Sequence, residues 1–189
     1  MSIRSIALPL LLAGAPLLAA AADAPPPAPP APPAPPQAHM SAAECEVWAR
    51  ELSFAQSVAD HDAAAFAGHL ESDAAFSVES PEPLRGRDEI TRQWDGIIHG
   101  KDVLLSWYPT RTTIAGQADI ASSAGPVLIE DTRPAARQHY RIGTFHSVWH
   151  RGPDGTWRVM FDGGGQRPVA ATEAEAAAFK AGRSATCPR

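Results

Sequence analysis

The stretch GTFHSVWHRGPDGTWRVMFDGGG, residues 143–165, contains two runs of alternating residues on either side of a Gly-Pro-Asp-Gly segment. Alternation with a period of two is typical of β-strands, and a short glycine-rich segment between two such runs indicates a hairpin. With a four-residue turn at 152–155, Arg151 faces Thr156 and His146 faces Phe161. The stretch therefore predicts an antiparallel sheet in the second half of the chain.

The two faces of this hairpin differ in composition. We expect the more apolar face to contact the helices, and that face holds Tyr140, Ile142, Thr144, His146, Val148, Val159 and Phe161. The opposite face holds Phe145, Ser147, Trp149, Arg158, Met160 and Asp162. A bulge of one residue in either strand would exchange these assignments.

The elements around the hairpin predict the fold class. Helical spacing of apolar residues predicts a helix over 41–59, a second over 62–70 capped by Asp62, and a third over 87–98. A strand at 74–78 precedes the third helix, and strand patterns follow at 103–109, 110–116, 118–130, 138–151 and 156–163. Thr172 and Glu175 have the spacing of a capping box, and Gly182 would end that last helix. We expect an α+β fold with three N-terminal helices packed on a curved antiparallel sheet, a cone-shaped roll, and a C-terminal helix.

Three segments carry a resemblance to a known superfamily: VADHDAAAFAGHLESDAAF (58–76), LRGRDEITRQW (84–94) and GTFHSVWHRGPDGTWRVMFDGG (143–164). Together with the order of elements, they resemble the nuclear transport factor 2-like superfamily, and most of all its SnoaL-like and domain-of-unknown-function branches. The resemblance covers about 44–167 and implies a pocket between helices and sheet. It does not choose among isomerases, dehydratases, hydrolases and binding modules. The ketosteroid isomerases of this superfamily have a base aspartate on the strand after the second helix, where this chain has Phe76, Ser77 and Val78.

Glu51 and His146 are the candidate catalytic residues. Glu51 is the one polar residue on the apolar arc of the first helix, and His146 is on the face that we expect to point inward. In a shared apolar pocket, burial and mutual charge would move both pKa values toward neutrality, as an acid–base pair requires. In the alternative, His146 is a core histidine with satisfied hydrogen bonds, and Glu51 lies at the pocket mouth or pairs with an arginine.

Further residues are candidates for the wall of the pocket. Trp94, Trp107, Tyr140 and Phe161 would supply apolar surface, although such aromatics also fill ordinary cores. Asp162 either ends its strand by accepting backbone hydrogen bonds or joins the pocket if the register differs. The histidine pairs at 146 and 150 and at 61 and 69 are each separated by about 12 Å or more, too far to share one zinc ion. We therefore predict no metal site and no cofactor.

The N-terminal 40 residues have the composition of targeting and spacer segments. Residues 1–24 read as a signal peptide, with a membrane anchor as the alternative, and 25–40 as a proline- and alanine-rich linker. Residues 41–189 then form one domain in an exported protein, periplasmic or secreted. Cys45 and Cys187 would form a disulfide in an oxidising compartment, with an intermolecular bridge or two free thiols as alternatives.

The net charge of −5 is scattered along the chain, which argues against nucleic acid as a partner. No segment after the N-terminus is apolar enough to span a membrane. The leading hypothesis is a domain that binds a small apolar or aromatic molecule. The alternatives are a metal-independent SnoaL-like lyase, isomerase or hydrolase, and a homodimeric interaction module that uses Phe145, Trp149 and Met160 on the outer face.

Overall fold

The computed structural model describes residues 39–188, and the predicted signal peptide and most of the predicted linker lie outside the described residues. The described chain is an α+β fold whose eight strands form one curled sheet. Its helices are α1 (Ala42–Ala59), α2 (Ala63–Gly68), α3 (Arg87–Gln93), α4 (Asp95–Ile98) and α5 (Glu173–Ala181). Its strands are β1 (Leu70–Phe76), β2 (Leu84–Arg85), β3 (Val103–Trp107), β4 (Arg111–Ala115), β5 (Ile120–Asp131), β6 (Tyr140–Arg151), β7 (Trp157–Asp162) and β8 (Val169–Ala171).

The two longest strands of the curled sheet change partners along their length. One end of β5 pairs with β4 and the other end with β3, while β6 pairs with β7 at one end and with β8 at the other. The strand order is β2-β1-β7-β6-β5-β3, with β4 and β8 as the extra partners. The predicted antiparallel sheet has one parallel pair, β1 with β7.

Local sequence signals set the limits of the helices. Ser41 and Glu44 form a capping box at the start of α1, and Thr172 and Glu175 form the predicted one at the start of α5. Such a box satisfies backbone N–H groups that have no partner within the helix. The predicted third helix is interrupted at Trp94, which separates α3 from α4.

The main core lies between the helices and the inner face of the sheet. It contains Val47, Phe54, Ala55, Val58, Phe66, Leu70, Ala74, Phe76, Ile90, Ile98, Trp107, Ala121, Trp149, Trp157 and Val159. A second, smaller cluster forms where α5 packs on the sheet, and it contains Tyr108, Leu128, Ala176 and Phe179, with Tyr140 and Ile142 against it. Both faces of the long strands therefore contact apolar side chains.

The predicted disulfide is confirmed. Cys45, in the first turns of α1, is bonded to Cys187 near the end of the chain, across 142 residues. The backbone N–H of Met40 also donates to the carbonyl of Pro188, so both ends of the described domain are joined at one place.

The predicted register and faces of the hairpin were wrong. The connection is one residue longer than expected, so Arg151 faces Trp157, and a bulge at Met160 then places Val148 opposite Phe161. On β6 the inward residues are Phe145, Ser147 and Trp149, while His146 and Val148 point to the outer face. The more apolar face of the hairpin was predicted to point inward. It lies on the outer side instead, where α5 covers part of the sheet and hydrophobic residues are also needed.

Among residues 39–188, no helix has both the length and the apolar character needed to cross a bilayer.

Candidate functional site

A cavity of about 200 Å³ lies inside the curled sheet. Four aromatic rings line it, those of Phe54 from α1, Trp94 between α3 and α4, Trp107 from β3 and Phe145 from β6. Leu105 and Val127 add aliphatic surface, and the polar lining comes from Glu79, Thr144, His146, Asp162, Gln166 and Arg167. Its walls therefore combine a mainly aromatic interior with a polar rim.

Glu51 lies buried in the interior and is held by two tryptophans. The indole N–H of Trp107 donates to its Oε1 at 2.7 Å, and that of Trp149 donates to its Oε2 at 2.8 Å. The residue has 0% of its surface exposed. Burial is the main reason that the pKa of Glu51 is raised to about 7. The two indole hydrogen bonds lower this pKa, and the negative charge of Asp162 raises it. Glu51 thus joins α1 to two strands, with both carboxylate oxygens already engaged.

Asp162 is the carboxylate on the cavity wall. The hydroxyl of Ser147, its partner across β6 and β7, donates to Oδ2 at 2.7 Å. Oδ1 accepts no hydrogen bond from any residue in the described range. Burial raises the pKa of Asp162 to about 6, the Ser147 hydrogen bond lowers it, and the charge of Glu79 raises it. The side chain of Asp162 can therefore accept a hydrogen bond or a proton from a ligand through Oδ1.

The triple glycine after Asp162 shapes the mouth of the cavity. Gly163 and Gly164 have φ values of 134° and 78°, in the region that favours glycine. A side chain at Gly165 would overlap the carbonyl group of Thr144. The N–H of Gly164 donates to Oε2 of Glu79 at 3.0 Å, which ties the carboxylate to this loop.

The structure does not assemble the predicted Glu51–His146 pair. The imidazole Nε2 of His146 is hydrogen-bonded to Ser122 on the outer face at 2.9 Å, whereas Glu51 is bound to tryptophans on the inner face. The main chain of His146 does contribute to the site, since its carbonyl accepts from the N–H of Gly163. This difference arises because the more apolar face of β6 was predicted to point inward, whereas that face lies on the outer side, partly under α5.

The other predicted residues divide between the cavity and the outer side. Trp94, Trp107 and Asp162 line the cavity. Tyr140 packs in the cluster under α5, and Phe161 is 42% exposed on the outer face, so neither is part of the cavity wall. The bulge in β7 is what brings Asp162 inward and turns Phe161 outward.

Several residues of the cavity wall, and Ser147 behind it, were not predicted from the sequence. Phe145 and Ser147 were assigned to the outer face, although their alternation with Trp149 was a signal for a second apolar face. Phe54 was recognised only as a helix core residue, and Glu79 carried no recognisable motif. Only the meeting of α1, β6 and the loop after β1 brings these side chains together.

A larger hollow of about 520 Å³ lies beside the disulfide, outside the sheet. It is formed by the start of α1, residues 108–113 and the C-terminal tail, and none of its charged side chains is buried. Functional sites usually contain carboxylates with shifted pKa values, and burial raises the pKa of Asp162 on the wall of the inner cavity, so this smaller cavity is the stronger candidate site. Within residues 39–188, no three His, Cys, Asp or Glu side chains are grouped so as to hold a metal ion.

Solved structures share this architecture. A ketosteroid isomerase-like protein from Erwinia carotovora atroseptica aligns with a TM-score of 0.56 and 10% identity, over 70% of this chain and 100% of that chain. A nuclear transport factor 2-like protein of unknown function from Pseudomonas putida aligns with a TM-score of 0.55 and 14% identity, over 72% and 99%. The chain has the nuclear transport factor 2-like fold. A third protein of this type, from Novosphingobium aromaticivorans, aligns with a TM-score of 0.52 and 17% identity, over 71% and 87%.

Sequence comparison adds nothing to this fold assignment, because no family model and no curated protein matches the chain. The nuclear transport factor 2-like fold places a cone interior between helices and sheet, and in this chain that interior contains the aromatic cavity, Asp162 and Glu51. These identities are too low to transfer an activity from the solved structures, so function has to be argued from the site itself.

Proposed function

We propose that this domain binds a small, mostly apolar molecule in the inner cavity. The observation that carries the proposal is the partly buried carboxylate of Asp162 in the wall of a cavity lined by four aromatic rings. Ligand sites in proteins typically combine such apolar surface with a few placed polar groups. An apolar cavity of roughly 150 Å³ accommodates benzene, so the volume of about 200 Å³ suits a ligand of one ring or similar bulk.

A cavity-filling variant tests this proposal. Val127 lies on β5 among the lining residues, and Val127→Phe would occupy space that the ligand needs. Val169→Phe adds the same bulk at a position that is 68% exposed and outside the cavity. We expect ligand-detected NMR with one-ring compounds to give hits on the full chain and on Val169→Phe, and none on Val127→Phe. Hits that persist in Val127→Phe, or a complete lack of hits, would contradict the proposal.

The alternative function is metal-independent acid–base catalysis of the SnoaL-like kind, and Asp162 favours it. A pKa of about 6 is close to the pH at which a carboxylate serves best as a general base, and Oδ1 is free to take a proton. Glu51 is less suited to this role because both of its oxygens accept from tryptophans and no part of it is exposed. For an identified ligand, Asp162→Asn would abolish turnover and preserve binding of the neutral compound. Turnover that survives in Asp162→Asn would rule this mechanism out.

The homodimer stays a prediction, but the surface proposed for it differs from the one predicted from the sequence. Phe145 and Trp149 point inward, so the surface predicted for self-association is not formed. The exposed Phe161, opposite Val148 on the outer face, is the residue to substitute instead. Light scattering of the wild type and of Phe161→Arg would show whether the chain is dimeric and whether this face is used.

Export to the periplasm or the medium is also part of the proposal. The disulfide supports it, because such bonds persist in oxidising compartments. The pattern of residues 1–24 supports it independently. Mass spectrometry of the protein from each cell fraction would test it, with an N-terminus after Ala22 or Ala24 as the expected result.

A further inference from the structure

We infer that the inner cavity selects an organic ammonium ion, held between its aromatic rings and the carboxylate of Asp162. This inference rests on the proposed binding function and names the class of ligand for the same site. A trimethylammonium group, or a one-ring amine, is the size that a cavity of about 200 Å³ would enclose.

The aromatic rings of the cavity wall include pairs set at steep angles to one another. Trp107 meets Phe54 at 77° and Phe145 at 62°, with ring centroids 5.2 Å and 6.5 Å apart. Rings set at steep angles present faces on different sides of a cavity, and the negative face of an aromatic ring attracts a cation. Cages of this kind recognise quaternary ammonium groups.

The charges around the cavity are mainly negative. Asp162 and Glu79 line it, and Glu51 lies behind the tryptophan wall. The charge of Glu79 raises the pKa of Asp162, the charge of Asp162 raises the pKa of Glu51, and no cationic side chain counters either shift. Glu51 is fully buried and Asp162 is partly buried, and neither forms a salt bridge with another described residue. A bound cation would therefore be stabilised there more than a neutral or anionic molecule.

The remaining basic side chains near the cavity are Arg167, in the loop after β7, and His146. Arg167 is among the lining residues and forms no salt bridge with another described residue. The imidazole of His146 is bound to Ser122 on the outer side of the sheet. Arg167 is therefore the one lining group that opposes a cation, and Arg167→Ala should strengthen cation binding.

The free oxygen of Asp162 argues against a ligand without a positive or hydrogen-bond-donating group. A purely apolar ligand would exclude water and leave Oδ1 without any partner, which carries the full desolvation penalty of a charged acceptor. An ammonium ion removes this penalty by charge alone, even when it has no N–H group. Shape and electrostatics thus favour the same class of ligand.

The test uses choline and its neutral carbon isostere, 3,3-dimethylbutan-1-ol, which have nearly the same shape and differ in charge. Binding to the full chain is measured by calorimetry or ligand-detected NMR at pH 7.5 and pH 5. We expect choline to bind at least about tenfold more tightly than the isostere at pH 7.5. Choline affinity should fall about tenfold at pH 5, because a group with a pKa of about 6 is then mostly protonated.

Three variants make the result specific. Asp162→Asn keeps the shape of the side chain and should remove most of the preference for choline, whereas Asp73→Asn, at an exposed position, should leave it unchanged. Val127→Phe should abolish binding of both compounds. Retained near-ultraviolet circular dichroism would show that each variant is folded.

The outcomes separate this inference from the proposed function. Equal binding of choline and isostere, lost in Val127→Phe, would overturn the cation inference and leave the binding function standing. Choline binding that survives Val127→Phe would place the cation outside the cavity and would also overturn the inference. If neither compound binds and one-ring compounds give no hits, the proposed function fails together with it.

Discussion

The Glu51→Gln substitution tests whether the buried Glu51 makes the free energy of unfolding depend on pH. Glu51 is fully buried, and its pKa rises from an ordinary value of 4.5 to about 7 in the folded protein. The unfolded chain therefore releases this proton at lower pH than the folded protein does. It follows that the free energy of unfolding decreases as the pH rises from 4.5 to about 7 and is constant, as far as Glu51 is concerned, above that.

The size of the effect follows from this interval. Since one pKa unit corresponds to about 1.4 kcal/mol, the rise from 4.5 to about 7 costs about 3 kcal/mol in all. Of this amount, about 2 kcal/mol is lost between pH 5 and pH 8, because some of the titration of the unfolded chain is complete by pH 5. Glutamine has the same shape and no charge, so the variant should lose about 2 kcal/mol less than the wild type over this range.

A fixed cost of the substitution does not affect this comparison. The carboxamide can accept from only one of the two indoles, so Trp107 or Trp149 loses its acceptor, at a cost of about 1–3 kcal/mol. This loss applies at both pH values and cancels when each protein is compared with itself. Asp162, with a pKa of about 6, lowers the stability of both proteins in the same direction.

Urea denaturation followed by tryptophan fluorescence at pH 5 and pH 8 gives the required free energies of unfolding. Glu46→Gln is the matched control, since Glu46 is on the same helix and its side chain is 54% exposed. The control should show the same dependence on pH as the wild type. If Glu51→Gln also loses as much stability as the wild type between pH 5 and pH 8, then Glu51 does not titrate there, and the argument from burial is refuted.

Three further substitutions test the framework of the fold. Replacing Cys45 and Cys187 by serine should lower the free energy of unfolding by up to about 5 kcal/mol, because the bond closes a loop across 142 residues. Urea curves of oxidised wild type and variant would measure this, and a loss below about 1 kcal/mol would contradict it. Thr172→Ala should cost about 1 kcal/mol by removing the cap of α5, and an unchanged thermal midpoint would show that this cap contributes little. Gly125→Ala should cost about 1–3 kcal/mol because the new methyl group would overlap the carbonyl oxygen of Tyr108, and a fully stable variant would show that the connection between β3 and β4 can move away from β5.

The sequence by itself determined the order of the elements and much of their extent. Alternation with a period of two identified β3 to β7, and apolar spacing identified α1. These signals are local, since each depends on residues within one strand or helix. The pairing of Cys45 with Cys187 could also be predicted from the sequence, because the chain has only two cysteines.

Only the tertiary structure decided which residues meet in the cavity. The bulge at Met160 turns Asp162 inward and Phe161 outward, and nothing in the alternating pattern reveals it. The covering of the outer face by α5 makes both faces of β6 apolar, so the composition of a face does not tell inside from outside. Inward direction depends on contacts between residues far apart in the chain, and those contacts place Glu51 against two tryptophans and leave His146 on the opposite side of the sheet.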